Sequence, residues 1–224
     1  MAAPADIWPL RVDTAGAPGN AAGTPSELQA AAFFQKTFLK ILGGRPEEEW
    51  RTEIEAFASA AGNDAVTQSL RQLARVWLAR AEMEQIDSVV LDYYRENVQF
   101  PDKLDSVTLP EGIRRDPWGD AWSYQLHAPE GFDRQEAQRY QLGPGRSPRL
   151  PGMKEAIGRR DPTAPSWKIT PVQLGGRLAL EFRLASGSVA TIQPGGAVGD
   201  DTLVFIGQHW ALMAGIDQLF TTTF

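Results

Sequence analysis

Apolar residues return every three or four positions through much of the first hundred residues and alternate with polar ones through the last sixty. The first pattern predicts helices and the second strands. A first helix is expected from Ser26, a capping residue with Gln29 three positions on, through Phe33, Phe34, Phe38, Ile41 and Leu42 to a stop at Gly43-Gly44. Its heavy apolar face reads as core. Pro46 opens a second helix where a missing N–H costs least, and Glu47, Glu48 and Glu49 suit the positive end of its dipole. Trp50, Ile54 and Phe57 make its stripe, and Gly62-Asn63 ends it. A third helix is predicted from Asp64 to about Asn97, roughly 50 Å long at 1.5 Å per residue. Leu70, Leu73 and Trp77 form one stripe, and Met83, Ile86, Val90 and Tyr93 another. The polar stretch from Arg80 to Gln85 between them predicts different packing partners, the two earlier helices for the first half and a sheet for the second.

Beyond that helix the pattern shortens. Phe100-Pro101 forces an extended turn, because proline excludes the helical region for the residue before it. Asp116-Pro117-Trp118-Gly119 reads as a compact turn. Its aspartate accepts hydrogen bonds from following amides, its tryptophan supplies buried area, and its glycine permits a positive φ. Trp122-Ser123-Tyr124 and Tyr140-Gln141-Leu142 follow as two short strands, so a helix is expected to pack on a hairpin through aromatic residues. Residues 146–165 carry proline, glycine and Arg146, Arg149, Lys154, Arg159 and Arg160, a linker composition with one helical turn around Met153–Ile157. Strand-like runs then occur at 167–169, 177–182, 188–192, 202–206 and 209–213, separated by glycine-rich turns, with Asp200-Asp201 read as a hairpin turn. The expected fold is α+β, with N-terminal helices, one of them long and packed on a small antiparallel sheet, followed by a small β-rich domain. The expected division is a flexible arm over 1–24, a helical and hairpin module over 25–145, a linker over 146–165 and the β-rich domain over 166–224. In the arm only Ile7, Trp8 and Leu10 could dock an extended segment.

Composition narrows the class. The 224 residues are 42% hydrophobic and 22% charged, ordinary values for a globular protein, and they suffice for one large or two small domains. A net charge of -6 argues against a nucleic-acid surface. With no cysteine there is neither a disulfide framework nor thiolate chemistry. No run approaches the ~20 apolar residues of a membrane span.

The order of parts over residues 86–145 resembles the soluble region of the major pseudopilin of type II secretion systems and its type IV pilin-like relatives. The parts are a helix ending in Tyr93, the Phe100-Pro101 segment, the Asp116-Pro117-Trp118-Gly119 bend, Trp122 and Tyr124 in one strand, and Tyr140 in the next. The resemblance implies a pilin-like fold clamped by Tyr93, Phe100, Pro101, Asp116, Pro117, Trp118, Gly119, Trp122, Tyr124 and Tyr140. It implies a role without catalysis in envelope assembly. Expected partners are other secretion or pilus assembly proteins and further copies of the chain. It also implies a place at the periplasmic face of the inner membrane, with an anchor helix outside this sequence; without an anchor the expected compartment is the cytoplasm. The family's cleavable leader, apolar helix and calcium-binding acidic loop have no counterpart here. The residues after Tyr140 run Leu142-Gly143-Pro144-Gly145-Arg146 and offer no carboxylate to calcium. Residues 188–213 resemble, over a handful of positions, the β-domains of inner-membrane secretion and pilus-alignment proteins.

Chemistry-bearing motifs are sparse. His127 and His209 stand in unrelated contexts, and no phosphate-binding, serine-hydrolase, zinc-protease or dinucleotide fingerprint occurs. No cofactor or metal is expected. One competing reading is a carbohydrate- or peptide-binding module that stacks ligands on exposed Trp118, Trp122 and Tyr124. A third is a hydrolase whose carboxylates, among Asp102, Asp105, Asp116 and Asp120, converge only in the fold.

Overall fold

One long helix and several small antiparallel sheets make up the chain, an α+β arrangement. The computed structural model describes residues 25–127, 139–146, 150–158, 167–207, 209–216 and 219–224. The arm expected over 1–24 lies outside the described residues, as do Arg149, Arg159 and Arg160 of the expected linker. The chain forms two compact units, divided between Ala74 and Arg75 and again after residue 159.

The first unit begins with α1 (Pro25–Leu42) and α2 (Arg51–Ala58). Helix α1 starts one residue ahead of the expected cap and stops before the glycine pair. There the Gly44 amide donates to the Ile41 carbonyl at 3.0 Å and the Arg45 amide to that of Lys40 at 3.0 Å. Phe57 of α2 meets Phe34 edge-on at 5.1 Å. Beside the rings, buried Thr37 donates its hydroxyl to Glu53 at 2.7 Å, and the Lys40 ammonium lies 2.9 Å from the same carboxylate. Lys40 first, then Thr37, hold the Glu53 carboxyl below its usual range.

The second expected helix is divided. Glu47–Glu49 form a single 3-10 turn, and α2 begins only after Trp50, whose φ of -134° takes it out of the helical region. Burial of the indole decides this, since its N–H donates to the Arg45 carbonyl at 3.2 Å and turns the chain there. Helix α2 also ends at Ala58, short of Gly62-Asn63, where the Ser59 hydroxyl takes the Glu55 carbonyl.

Helix α3 (Ala65–Asn97) begins one residue after the expected start and is capped by Asp64, whose Oδ1 accepts the Thr67 amide at 2.7 Å. Burial opposes that charge, yet the bonds from Thr67 keep the carboxyl below its ordinary value. The Arg71 guanidinium donates to the carbonyls of Ala60 at 2.9 Å and Gly62 at 2.7 Å, which fastens the preceding turn. At its far end α3 closes on Val98, at φ +56° the only non-glycine residue with positive φ among the described residues. A β-branched residue pays a steric cost there that glycine does not. The Val98 side chain is 55% exposed and so contributes little packing. Val98→Gly is expected to raise stability by about 1 kcal/mol, and a lower urea midpoint for the variant would refute the strain.

The hairpin β1 (Ser123–His127) and β2 (Arg139–Gly143) pairs Tyr124 with Leu142 and Leu126 with Tyr140. It belongs to the second unit with the rest of α3 and with α4 (Met153–Gly158), the expected helical turn. Val76, Ala79, Met83, Ile86 and Val90 of α3 build its core with Ile113, Trp122, Leu142 and Leu150. The polar stretch of α3 is not a solvated interval. Arg80 is 0% exposed, its guanidinium carbon 4.4 Å over the Trp77 ring and its Nε donating to the Pro151 carbonyl at 3.1 Å, and Glu82 is buried as well.

The remaining strands belong to the first unit. β3 (Lys168–Leu174), β4 (Arg177–Arg183) and β5 (Val189–Ile192) form one antiparallel sheet. β6 (Ala197–Val198), β7 (Asp201–Ile206), β8 (Trp210–Ala214) and β9 (Leu219–Thr223) form another. All five strand-like runs become strands, and β6 and β9 are additional. Gly175-Gly176 joins β3 to β4 with both φ values positive (+60° and +77°), as a two-residue turn matched to strand twist demands. Because Leu174 closes that turn opposite Arg177, alternate residues Ile169, Pro171 and Gln173 direct their backbone groups away from β4. Pro171 therefore costs no ladder bond and sits on the outer edge. In β7 a bulge between Leu203 and Phe205 turns Leu203 and Ile206, three apart, to one face. There they meet Leu180, Phe182, Ala211, Met213 and Phe220 in a buried core, with Trp167 edge-on to Phe182 at 5.2 Å.

Candidate functional site

The expected site residues gather in the second unit, where the end of α3 meets the bend and the hairpin. The contact begins with rings. Tyr94 stacks on Phe100 with centroids 4.5 Å apart, Phe100 meets Tyr140 at 5.0 Å, and Tyr140 stacks on Tyr124 at 5.6 Å. Such pairs each add about 1 kcal/mol beyond the area they bury. The helix tyrosine in this series is Tyr94; Tyr93, the one singled out from the sequence, is half-buried and offers its carbonyl to Asn97 at 2.9 Å. The two residues point 100° apart on the helix, and periodicity with Ile86 and Val90 favoured the wrong neighbour.

Hydroxyls anchor the ring stack. Tyr124 donates to the carbonyl of buried Pro101 at 2.8 Å, which holds the extended segment on the hairpin. Tyr140 donates to Asp87 Oδ1 at 2.9 Å, which ties β2 to α3. Burial first, and then the charge of Asp102, push the Tyr124 phenol up to about 12. Burial and then Asp87 raise Tyr140 too. Both phenols stay protonated at neutral pH and act as donors.

Asp87 is half-buried, and its carboxyl is raised by burial, against which the Tyr140 bond works. A carboxyl raised by folding contributes its full stability below the ordinary carboxylate range and loses it as pH climbs through the raised value. Asp87→Asn keeps an acceptor for Tyr140 and carries no charge. The variant is expected to be more stable than the native chain at neutral pH, with the gap closing in acid. Thermal melts at both pH values test this, and a less stable variant at neutral pH would reverse the assignment.

The bend is organised by Asp116, 4% exposed. One of its oxygens accepts the amides of Trp118 and Asp120, each at 2.9 Å, and the other accepts the amide of Gly145 at 2.9 Å. Its own amide donates to the Asp120 carbonyl at 2.9 Å, and its carbonyl accepts from Gly119, whose φ of +89° lets the turn close. Gly145 fits because it lacks a side chain: a Cβ there would lie 2.6 Å from the Ala121 carbonyl oxygen. Arg146 pairs with Asp120 at 2.7 Å on the surface. The sequence signalled the aspartate and its local amides, but not Gly145, 29 residues away.

The tryptophans are placed unequally. Trp122 is 8% exposed and donates its indole N–H to the Ile113 carbonyl at 2.8 Å. Trp118 is half-buried against the same core, as is Tyr124, while Pro117 is half-buried at the turn. Trp118, Trp122 and Tyr124 therefore do not share an exposed face. Of the four aspartates, Asp102 and Asp105 are exposed, Asp116 spends both oxygens on amides and Asp120 faces Arg146. Among the described residues no group of three or more histidines and carboxylates is placed to hold a metal ion. The arrangement fixes one backbone path through the bend.

Comparison with protein-family models, with curated proteins and with solved structures finds no match.

Proposed function

We propose that this chain is a non-enzymatic component of a bacterial type II secretion or type IV pilus-like envelope assembly, acting through protein–protein contacts. The observation that carries this reading is the single core shared by the end of α3, the Phe100-Pro101 segment, the Asp116 bend and the β1–β2 hairpin. A pilin-like module needs these parts in one body and in this chain order, with the bend's indole largely buried; Trp118 is half-buried, short of that expectation. Trp118 packs against that core, and Asp116 knots the bend to the strand end after β2. The companion likeness to alignment-type β-domains is supported by Gly199-Asp200, which forms the tight turn between β6 and β7. The reading places the chain at the periplasmic face of the inner membrane. Among the described residues no helix is long and apolar enough to cross a membrane.

The test is made in the source cells. Photo-crosslinkers at exposed Phe33, Asp102 and Leu174 should capture pilin-like or inner-membrane assembly subunits, and deletion of the gene should impair protein secretion or piliation. Intact secretion and piliation, with no such subunit captured, would remove the proposal.

A further inference from the structure

The last turns of α3 carry an exposed stripe that the core does not use. Leu91 is 40% exposed, and Val98, 55% exposed, follows just past the helix end. One turn to either side of Leu91 along the helix stand Asp87 and Arg95. Asp87 is half-buried, and among the described residues its bonding partner is a neutral phenol, Tyr140. Arg95 is exposed, and its partner is Asp92, an exposed pair one turn away on its own helix. Exposed pairs of this kind contribute little and are readily exchanged. One half-buried anion thus lacks a cation while one cation is weakly held, four residues to either side of an exposed leucine.

We propose that two copies of the chain associate through this stripe, with the ends of their α3 helices antiparallel about a two-fold axis at Leu91. In that register each Leu91 faces its own copy, and Arg95 of each copy lies level with Asp87 of the other. A two-fold contact makes the exchange twice, as an isologous interface requires. Helices packed 8–10 Å apart leave an arginine well able to reach across. The partner's guanidinium supplies a charge that Asp87 does not find among the described residues of its own chain, and Leu91 is removed from water. The contact lies wholly on the second unit and does not depend on the envelope reading.

Sedimentation of the full chain should show a concentration-dependent dimer. Arg95→Glu alters only an exposed side chain, so folding is retained, and it should weaken the dimer about tenfold through loss of two ion pairs. Because the native chain has no cysteine, Leu91→Cys places a single thiol on the proposed axis. That variant should form a disulfide-linked dimer far faster than Glu111→Cys, a control on an exposed loop. A chain that stays monomeric at every attainable concentration would overturn the proposal. So would a dimer that Arg95→Glu leaves unchanged, or equal cross-linking rates for the two cysteine variants.

Discussion

Asp116→Ala is expected to destabilise the second unit by about 4 kcal/mol, because it strands three inward-facing amides at a cost of about 1–3 kcal/mol each, partly relieved by water. A domain's whole stability is about 5–15 kcal/mol, so this one carboxylate decides whether the bend persists. Asp116→Asn is the informative partner. Its carbonyl oxygen can keep the amides of Trp118 and Asp120, while its NH2 confronts the Gly145 amide, so it should cost only about 1–2 kcal/mol. Hydrogen exchange at Asp120 and Gly145 separates the cases, since both amides should lose protection in the alanine variant and only Gly145 in the asparagine variant. If Asp116→Ala matched the native chain in urea unfolding, the carboxylate would not be the knot described.

Trp122→Ala should cost about 3–5 kcal/mol, the range for emptying a large buried aromatic site. Trp122→Phe should cost less but still lose the bond to Ile113. This variant also separates the functional readings. A stacking platform for sugars or peptides predicts a Trp122→Ala chain of native stability that has lost its ligand. The core position of the ring predicts the opposite, a chain that unfolds early whatever it binds. Urea titration followed by circular dichroism decides between them.

How much of this was legible beforehand depended on how local the cause was. Helices α1 and α3 were readable because Phe34, Phe38 and Ile41, and then Ile86 and Val90, keep helical spacing over many turns. Helix α2 was not, because Trp50 leaves the helical region to bond a carbonyl five residues back, and a stripe of apolar residues cannot register that. The Asp116 turn announced itself through the proline and glycine that follow. The burial of Arg80 was opaque, since the carbonyl that receives it belongs to Pro151, 71 residues on. Strand β9 was missed for a different reason. Leu219–Thr223 shows neither alternation of apolar and polar residues nor a glycine turn, and its strand state is imposed by pairing with β8. At the candidate site the motif residues were found but their pairing was not. Asp87 and Tyr94 sit one position off the apolar stripe, and what distinguishes them is a partner that only the fold supplies.

Pro171 has a consequence for life at high protein concentration. An extended segment from another molecule, laid along the outside of β3, would find a pyrrolidine ring where its central carbonyl needs an amide. Fibril growth and promiscuous sheet-to-sheet joining are thereby discouraged on that flank, which leaves recognition there to side chains.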